Sequence, residues 1–284
     1  MLDKGDTVGL VALSDGITEE RKEQIEDISN SLYDMGYNTV IAEHIYRPEG
    51  KVAFSALHRA GDFMAMIKNP DIKAIFDVSG GDVANEVIEY LDFDEIEDNE
   101  KIISGYSDVT TVLNAIYHKT GVNTHLYQVR NIASEHGERQ KADLMMELNG
   151  ESDALCGFDY KFVRGKRMKG IVIGGNTRCF LKLAGTEYMP SFKHKILFLE
   201  SYGGDEARIR SYFTQLKQIG AFEEVNGVLL GTFSRLEASG MVKAVNILTE
   251  VCTGMDFPIA QTDEIGHGAD SKAIVIGRDM ELSE

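Results

Sequence analysis

The chain has 284 residues, 46 Asp and Glu against 29 Lys and Arg, and a formal net charge of −17. That length gives room for two domains with an ample core, and the acidic balance, with its basic residues scattered, argues against nucleic acid or an anionic membrane surface as partner. Cys156, Cys179 and Cys252 are an odd set without CxxC spacing, which points away from a disulfide framework or a zinc site and toward reduced thiols in a cytosolic protein.

The opening Met1–Asp6 is acidic and precedes only a short apolar run, unlike a secretory signal. No apolar run approaches the roughly 20 residues that span a bilayer. A soluble, cytoplasmic protein is expected. Thr7–Leu13 is continuously apolar, as in a strand buried on both faces. After the turn Ser14-Asp15-Gly16, an amphipathic helix is predicted from Thr18 through Asn30 and ending near Gly36. Asn38–Ala42 reads as a strand, Ala53–Ile67 as a helix stopped at Asn69-Pro70, and Lys73–Val78 as a strand. Ser79-Gly80-Gly81-Asp82 follows, then a helix through Val87 to Leu91 and a strand at Ile102-Ile103. Strands alternating with helices predict a parallel sheet covered on both faces. Ligands then bind in the loops at the strands' carboxyl ends, and those loops hold Ser14, Gly80-Gly81 and Ser107.

Between Ser134 and Lys169 the pattern weakens into polar, turn-rich sequence. The expected division is an N-terminal α/β domain over 1–140, a linker over 141–168 and a smaller C-terminal β/α domain over 169–284. In the latter, strands are predicted at Lys169–Ile173, Lys195–Leu199, Val225–Gly231, Pro258–Ala260 and Ala273–Ile276, with helices at Arg208–Ile219 and Val242–Cys252.

Lys101–Thr111 concentrates the chemistry. A short apolar run reaches Gly105, then Tyr106, Ser107 and Asp108 precede the helical spacing of Val109, Leu113, Ile116 and Tyr117. This is a strand, a tight turn and a helix start with a hydroxyl at the apex, as in a nucleophile elbow. Unpaired amides at a helix start also face any developing negative charge. The rival reading is that Ser107 or Asp108 merely caps the helix. An activated serine needs a base and a group to orient that base. Of seven histidines, His267 stands among small residues in Glu264-Ile265-Gly266-His267-Gly268-Ala269, and Glu200 ends the apolar run Ile196–Leu199.

Gly105-Tyr106-Ser107-Asp108-Val109-Thr110, Gly174-Gly175-Asn176, Ile196-Leu197-Phe198-Leu199-Glu200 and Gly266-His267 occur in an order that resembles the LD-carboxypeptidase family. That family includes murein tetrapeptide LD-carboxypeptidases and microcin C immunity peptidases (MccF). Gly80-Gly81-Asp82 with Asn85-Glu86, and Asp92-Phe93-Asp94 beyond, resemble the immunity branch more. The resemblance implies an N-terminal parallel α/β domain with a smaller C-terminal domain, and an active site between them. It implies Ser107 as nucleophile, His267 as general base and acid, and Glu200 as the group holding the imidazole. The backbone amides of Gly81 and Asp108 would form the oxyanion hole. Gly80, Asn176, Arg130 and Arg208 are candidate substrate contacts, the arginines because a guanidinium binds a carboxylate bidentately. No metal or other cofactor is implied; a homodimer is. The expected substrate is an aminoacyl-nucleotide amide such as processed microcin C, or alternatively a murein tetrapeptide losing its terminal D-Ala.

The chain also departs from the family. Leu13-Ser14 stands where Pro-Ser is usual, Leu126–Arg130 where Gly-Pro is usual, and Arg208-Ile209-Arg210-Ser211 where Arg-Ile-Asp-Arg is frequent. The altered Leu126–Arg130 segment motivates a second reading, a non-catalytic binding protein on the same fold. Gly80-Gly81-Asp82 gives a third, a nucleotide kinase, weakened by the absence of a Gly-Lys-Ser/Thr phosphate loop.

Overall fold

The computed structural model describes residues 1–238, 240 and 242–284. The first sheet contains β1 (Thr7–Val11), β2 (Asn38–Ile41), β3 (Ile72–Asp77), β4 (Ile102–Gly105) and β5 (Thr124–Leu126), all mutually parallel where they pair. Helices α1 (Lys22–Asp34), α2 (Ala56–Lys68), α3 (Phe93–Asp98), α4 (Thr110–Thr120) and α5 (Gly137–Asn149) belong to this half. The second sheet contains β6 (Lys161–Arg164), β7 (Arg167–Asn176), β8 (Lys195–Ser201), β9 (Gly227–Phe233), β10 (Ile259–Gln261) and β12 (Asp279–Ser283). Its helices are α6 (Thr177–Phe180), α7 (Glu206–Gln218), α8 (Ala221–Glu224), α9 (Ser234–Glu237) and α10 (Ala244–Val251).

The first sheet runs β11-β5-β4-β3-β1-β2, with β11 being Ile274–Ile276; the second runs β12-β7-β8-β9-β10-β6. The strand order turns back between β1 and β3, so the loops after these strands diverge and leave a crevice at their carboxyl ends. The two-domain α/β architecture predicted from the alternating pattern is present. The central strands β1, β8 and β9 are buried along nearly all their length, as their apolar runs require, and β3 is buried everywhere but at Lys73.

Local chemistry sets the helix ends. Ser55 caps α2 by accepting from the His58 amide, and the helix stops at Asn69, since the residue before Pro70 is driven from helical geometry. Several expectations need correction. The helix expected from Thr18 starts at Lys22, after a 3-10 turn over Glu19–Arg21. The helix expected after Asp82 is a 3-10 helix over Ala84–Tyr90. The stretch 141–168, expected as linker, holds most of α5 and all of β6. The buried face of α5 is only Gly137, Gln140, Leu144 and Leu148, a stripe too thin to stand out from its polar neighbours. Finally, β12 has no counterpart in the sequence reading. The strand predicted for the second domain near Ala273–Ile276 pairs instead with β5 of the first sheet, antiparallel.

The two halves meet along α4 and the end of β7. Asn114 donates to Gly174 O at 2.8 Å and accepts from Gly174 N at 2.9 Å, joining helix to strand like a further β-partner. Thr110 Oγ1 accepts from the Asn176 amide at 3.1 Å. Gly175 makes this approach possible: its φ is +134°, and a Cβ there would lie 2.8 Å from Thr110 Cγ2.

Candidate active site

The turn after β4 carries Ser107 with φ at +57°, a left-handed conformation that a non-glycine residue rarely takes. Holding it costs on the order of 1–3 kcal/mol, which the surrounding packing must supply. Asp108, next in the chain, is fully buried. Its carboxylate accepts from Ser14 Oγ at 2.7 Å, from the Ala84 amide at 2.8 Å and from Lys182 Nζ. Asp108 is therefore more than a helix cap: it ties the elbow to the loops after β1 and β3. A second buried group ties the loops after β1 and β3 to each other. The Arg59 guanidinium donates to Phe54 O, Leu13 O, Ser14 O and Val83 O, and pairs with Glu86 at 2.6 Å.

The second half brings the imidazole. Glu200, near the end of β8, is fully buried; its Oε2 lies 2.8 Å from His267 Nδ1 and its Oε1 accepts from Asn176 Nδ2 at 2.9 Å. Both carboxylate oxygens are thus committed, and the imidazole is fixed in orientation by the kind of contact that sets a tautomer. His267 Nε2 is buried with no hydrogen-bond partner. The Tyr106 ring stands edge-on to the imidazole at 5.0 Å, and Tyr202 lies against it at 5.1 Å. Burial, with the Glu200 charge adding to it, drives the Tyr106 phenol far above its ordinary range, so it stays neutral.

Ser107 and Gly81 face one cavity of about 420 Å³, together with Asp82, Asn176, Arg178, Tyr202, Arg208, Tyr212 and Arg235. Gly81 has φ of +143°, and a Cβ there would fall 2.1 Å from the Asp15 carboxylate, so only glycine fits this approach to Asp15. Asn176, expected to touch substrate, lines the cavity but has its amide nitrogen occupied by Glu200. Arg208 lies in the cavity wall and is exposed, whereas Arg130 sits in a narrow crevice on another side of Ser107, its Nε donating to Gln128 Oε1 at 2.8 Å. The altered segment and the residue after it grip the histidine loop: Gln128 Nε2 reaches Gly266 O and Asn131 Nδ2 reaches Gly268 O, each at 3.4 Å. Sequence reasoning missed Arg59, Arg178 and Lys182, because a charged residue in a helix or loop looks the same whether it faces water or a buried carboxylate. Among the described residues, no three His, Cys, Asp or Glu side chains are grouped so as to hold a metal ion, and no helix is long and apolar enough to cross a membrane.

A serine on a strained strand–helix turn, with a carboxylate-held imidazole donated from a second α/β layer, is the architecture of a serine-type hydrolase. The chain belongs to the LD-carboxypeptidase family, whose N-terminal domain matches residues 8–127 and whose C-terminal domain matches residues 169–282, and it is a serine carboxypeptidase. It is 28% identical to the microcin C7 self-immunity protein MccF of Escherichia coli, over 93% of this chain and 86% of that protein. A structure of MccF in complex with glutamyl sulfamoyl guanosine superposes with a TM-score of 0.88 at 24% identity, covering 100% of this chain and 97% of the other. The muramoyltetrapeptide carboxypeptidase of Oxalobacter formigenes shares the fold at a TM-score of 0.80 and 19% identity, over 98% and 95% of the two chains.

Proposed function

We propose that Ser107, His267 and Glu200 form the catalytic triad of this carboxypeptidase and that it cleaves the amide of a small aminoacyl-nucleotide conjugate. The observation that carries this reading is the Glu200–His267 pair, buried with Nε2 unpartnered and packed edge-on against Tyr106, the residue that precedes the strained Ser107 of a substrate-sized cavity. In the proposed reaction His267 takes the Ser107 proton as Oγ adds to the amide carbonyl. The backbone amides of Gly81 and Asp108 stabilise the resulting oxyanion. Protonated His267 gives its proton to the leaving nitrogen, the C–N bond breaks, and water then releases the acyl group by the same steps in reverse. Glu200 stabilises the imidazolium. Removing a single oxyanion donor typically costs about 2.7–4 kcal/mol of barrier, so the Gly81 turn matters for its amide rather than for a side chain.

Arg208 has no acidic partner among the described residues and lines the same cavity; we assign it to a carboxylate or phosphate of the substrate. Arg130 is engaged with Gln128 and is the weaker candidate. The likeness to MccF favours the aminoacyl-nucleotide reading. The shared fold of the muramoyltetrapeptide carboxypeptidase supports the alternative, release of a terminal D-Ala from a murein tetrapeptide. A cytoplasmic homodimer belongs to the same reading, and sedimentation velocity tests the dimer. Incubation with aspartyl sulfamoyl adenosine and a murein tetrapeptide, with products read by mass, decides between the two substrates. Ser107→Ala should remove all hydrolysis while leaving the circular dichroism spectrum unchanged; turnover in that variant would refute the triad.

A further inference from the structure

Arg178 and Lys182 stand four residues apart in the segment that begins with α6, on the half of the molecule that supplies Glu200 and His267. Neither cation points to open solvent alone. Arg178 Nη2 donates to Gly81 O at 2.9 Å, and the same guanidinium pairs with the Asp82 carboxylate. Lys182 Nζ donates to Asp82 O at 2.7 Å and to the buried carboxylate of Asp108. The peptide between Gly81 and Asp82, which directly follows the one carrying the Gly81 N–H, is held at both ends: its carbonyl by Arg178, and its N–H by Asp15 Oδ1 at 2.9 Å. Gly81, at φ of +143°, has no side chain to fix its own plane.

We propose that Arg178 and Lys182 are positioning residues for the oxyanion hole. The two amides assigned to that hole, those of Gly81 and Asp108, lie on the first half of the chain. The cations that hold their loops come from the second half. The hole is then completed where the two halves dock, as the triad is. This rests on the serine-hydrolase reading above and adds to it residues that act through the loops of the hole rather than on the reacting atoms. A simple docking bridge would require only that Lys182 neutralise Asp108. It would not place a second, partly exposed cation on the carbonyl of the glycine at the cavity wall. A misplacement of about 1 Å in such a donor can cost on the order of 10²-fold in rate.

The test uses the full chain and whichever of aspartyl sulfamoyl adenosine or murein tetrapeptide the unaltered protein cleaves. Lys182→Met and Arg178→Gln should each lower kcat by about 10- to 100-fold, with KM within about threefold. Lys182→Arg should recover most of the Lys182→Met loss. A boronic acid carrying the acyl half of the substrate, which forms a tetrahedral adduct on Ser107, should lose affinity in parallel with kcat. Substrate binding measured in a Ser107→Ala background should stay unchanged when either substitution is added. Wild-type kcat and boronate affinity in the folded variants would overturn the proposal, as would an equal loss of ground-state binding. Should Lys182→Met fail to fold, Arg178→Gln, at a side chain 40% exposed, supports or overturns the proposal by the same measurements. An unaltered protein inert to both substrates and to the boronates overturns the serine reading and this proposal with it; an active one with unaffected variants overturns the proposal alone.

Discussion

Glu200 divides its two oxygens between Asn176 and His267, and neither can be exchanged for an N–H without loss. In Glu200→Gln the new NH2 group must face a donor on one side or the wrong imidazole tautomer on the other. kcat should fall by about 10³–10⁴-fold with little change in melting temperature, and steady-state kinetics beside calorimetry checks both. Asp77 is the other informative carboxylate. Fully buried, it is pushed up to about 6 by desolvation, opposed by hydrogen bonds from Leu13 N at 2.6 Å and from Ser79 N and Oγ at 2.7 Å. A proline at position 13, which the family resemblance leads one to expect there, would have no N–H to give. Because the folded pKa lies above the ordinary value of 3.8, the stability contributed by Asp77 is full below about pH 4 and is lost as pH rises through about 6. Urea unfolding should show about 1 kcal/mol more stability from this group at pH 5 than at pH 7, a component that Asp77→Asn removes. At this scale the sequence offered Ser107, Glu200 and His267 as candidates because Ser107 and Glu200 follow apolar runs and His267 lies between two glycines. Arg59, Arg178 and Lys182 were hidden, since their partners are backbone carbonyls and acids far away in sequence.

The seam between α4 and β7 shows how a helix can stand in for a strand. Asn114, fully buried, satisfies both the N–H and the C=O of Gly174 and also donates to Thr110 O at 2.8 Å. Asn114→Ala leaves two buried backbone groups unpaired, and each such group costs about 1–3 kcal/mol. Chemical denaturation should therefore show a loss of at least about 2 kcal/mol, with the secondary structure retained. An unchanged midpoint would mean that water replaces the amide without penalty. The central parallel strands were readable because burial on both faces demands unbroken apolar sequence. The edges were not. In β6 the burial alternates between exposed and half-buried, so its Lys-Phe-Val-Arg carries too weak a signal over four residues. The narrow apolar stripe of α5 was lost in the same way among its charged neighbours.

Taken whole, the molecule is two sheets sewn together by its last few residues. β11 completes the first sheet against β5, and β12 completes the second against β7, with only a short turn between them. No periodicity in Ile274–Ile276 could announce which sheet it would join, because a three-residue apolar strand fits either. Deleting residues 273–284 should uncover an edge on both sheets and loosen the loop that carries His267. The expected result is a melting temperature lower by more than about 10 °C, with a broadened transition and no amide hydrolysis; calorimetry that still shows one sharp transition near the original temperature would contradict it. The same strand has a consequence for biosynthesis. β5 leaves the ribosome roughly 150 residues ahead of its neighbour β11. At about 5–20 residues per second its outer edge waits on the order of 10–30 s for a partner. During that interval the nascent first sheet offers a bare hydrogen-bonding margin to any other extended segment, so a chaperone acting on emerging chains would find its natural client in this half of the protein.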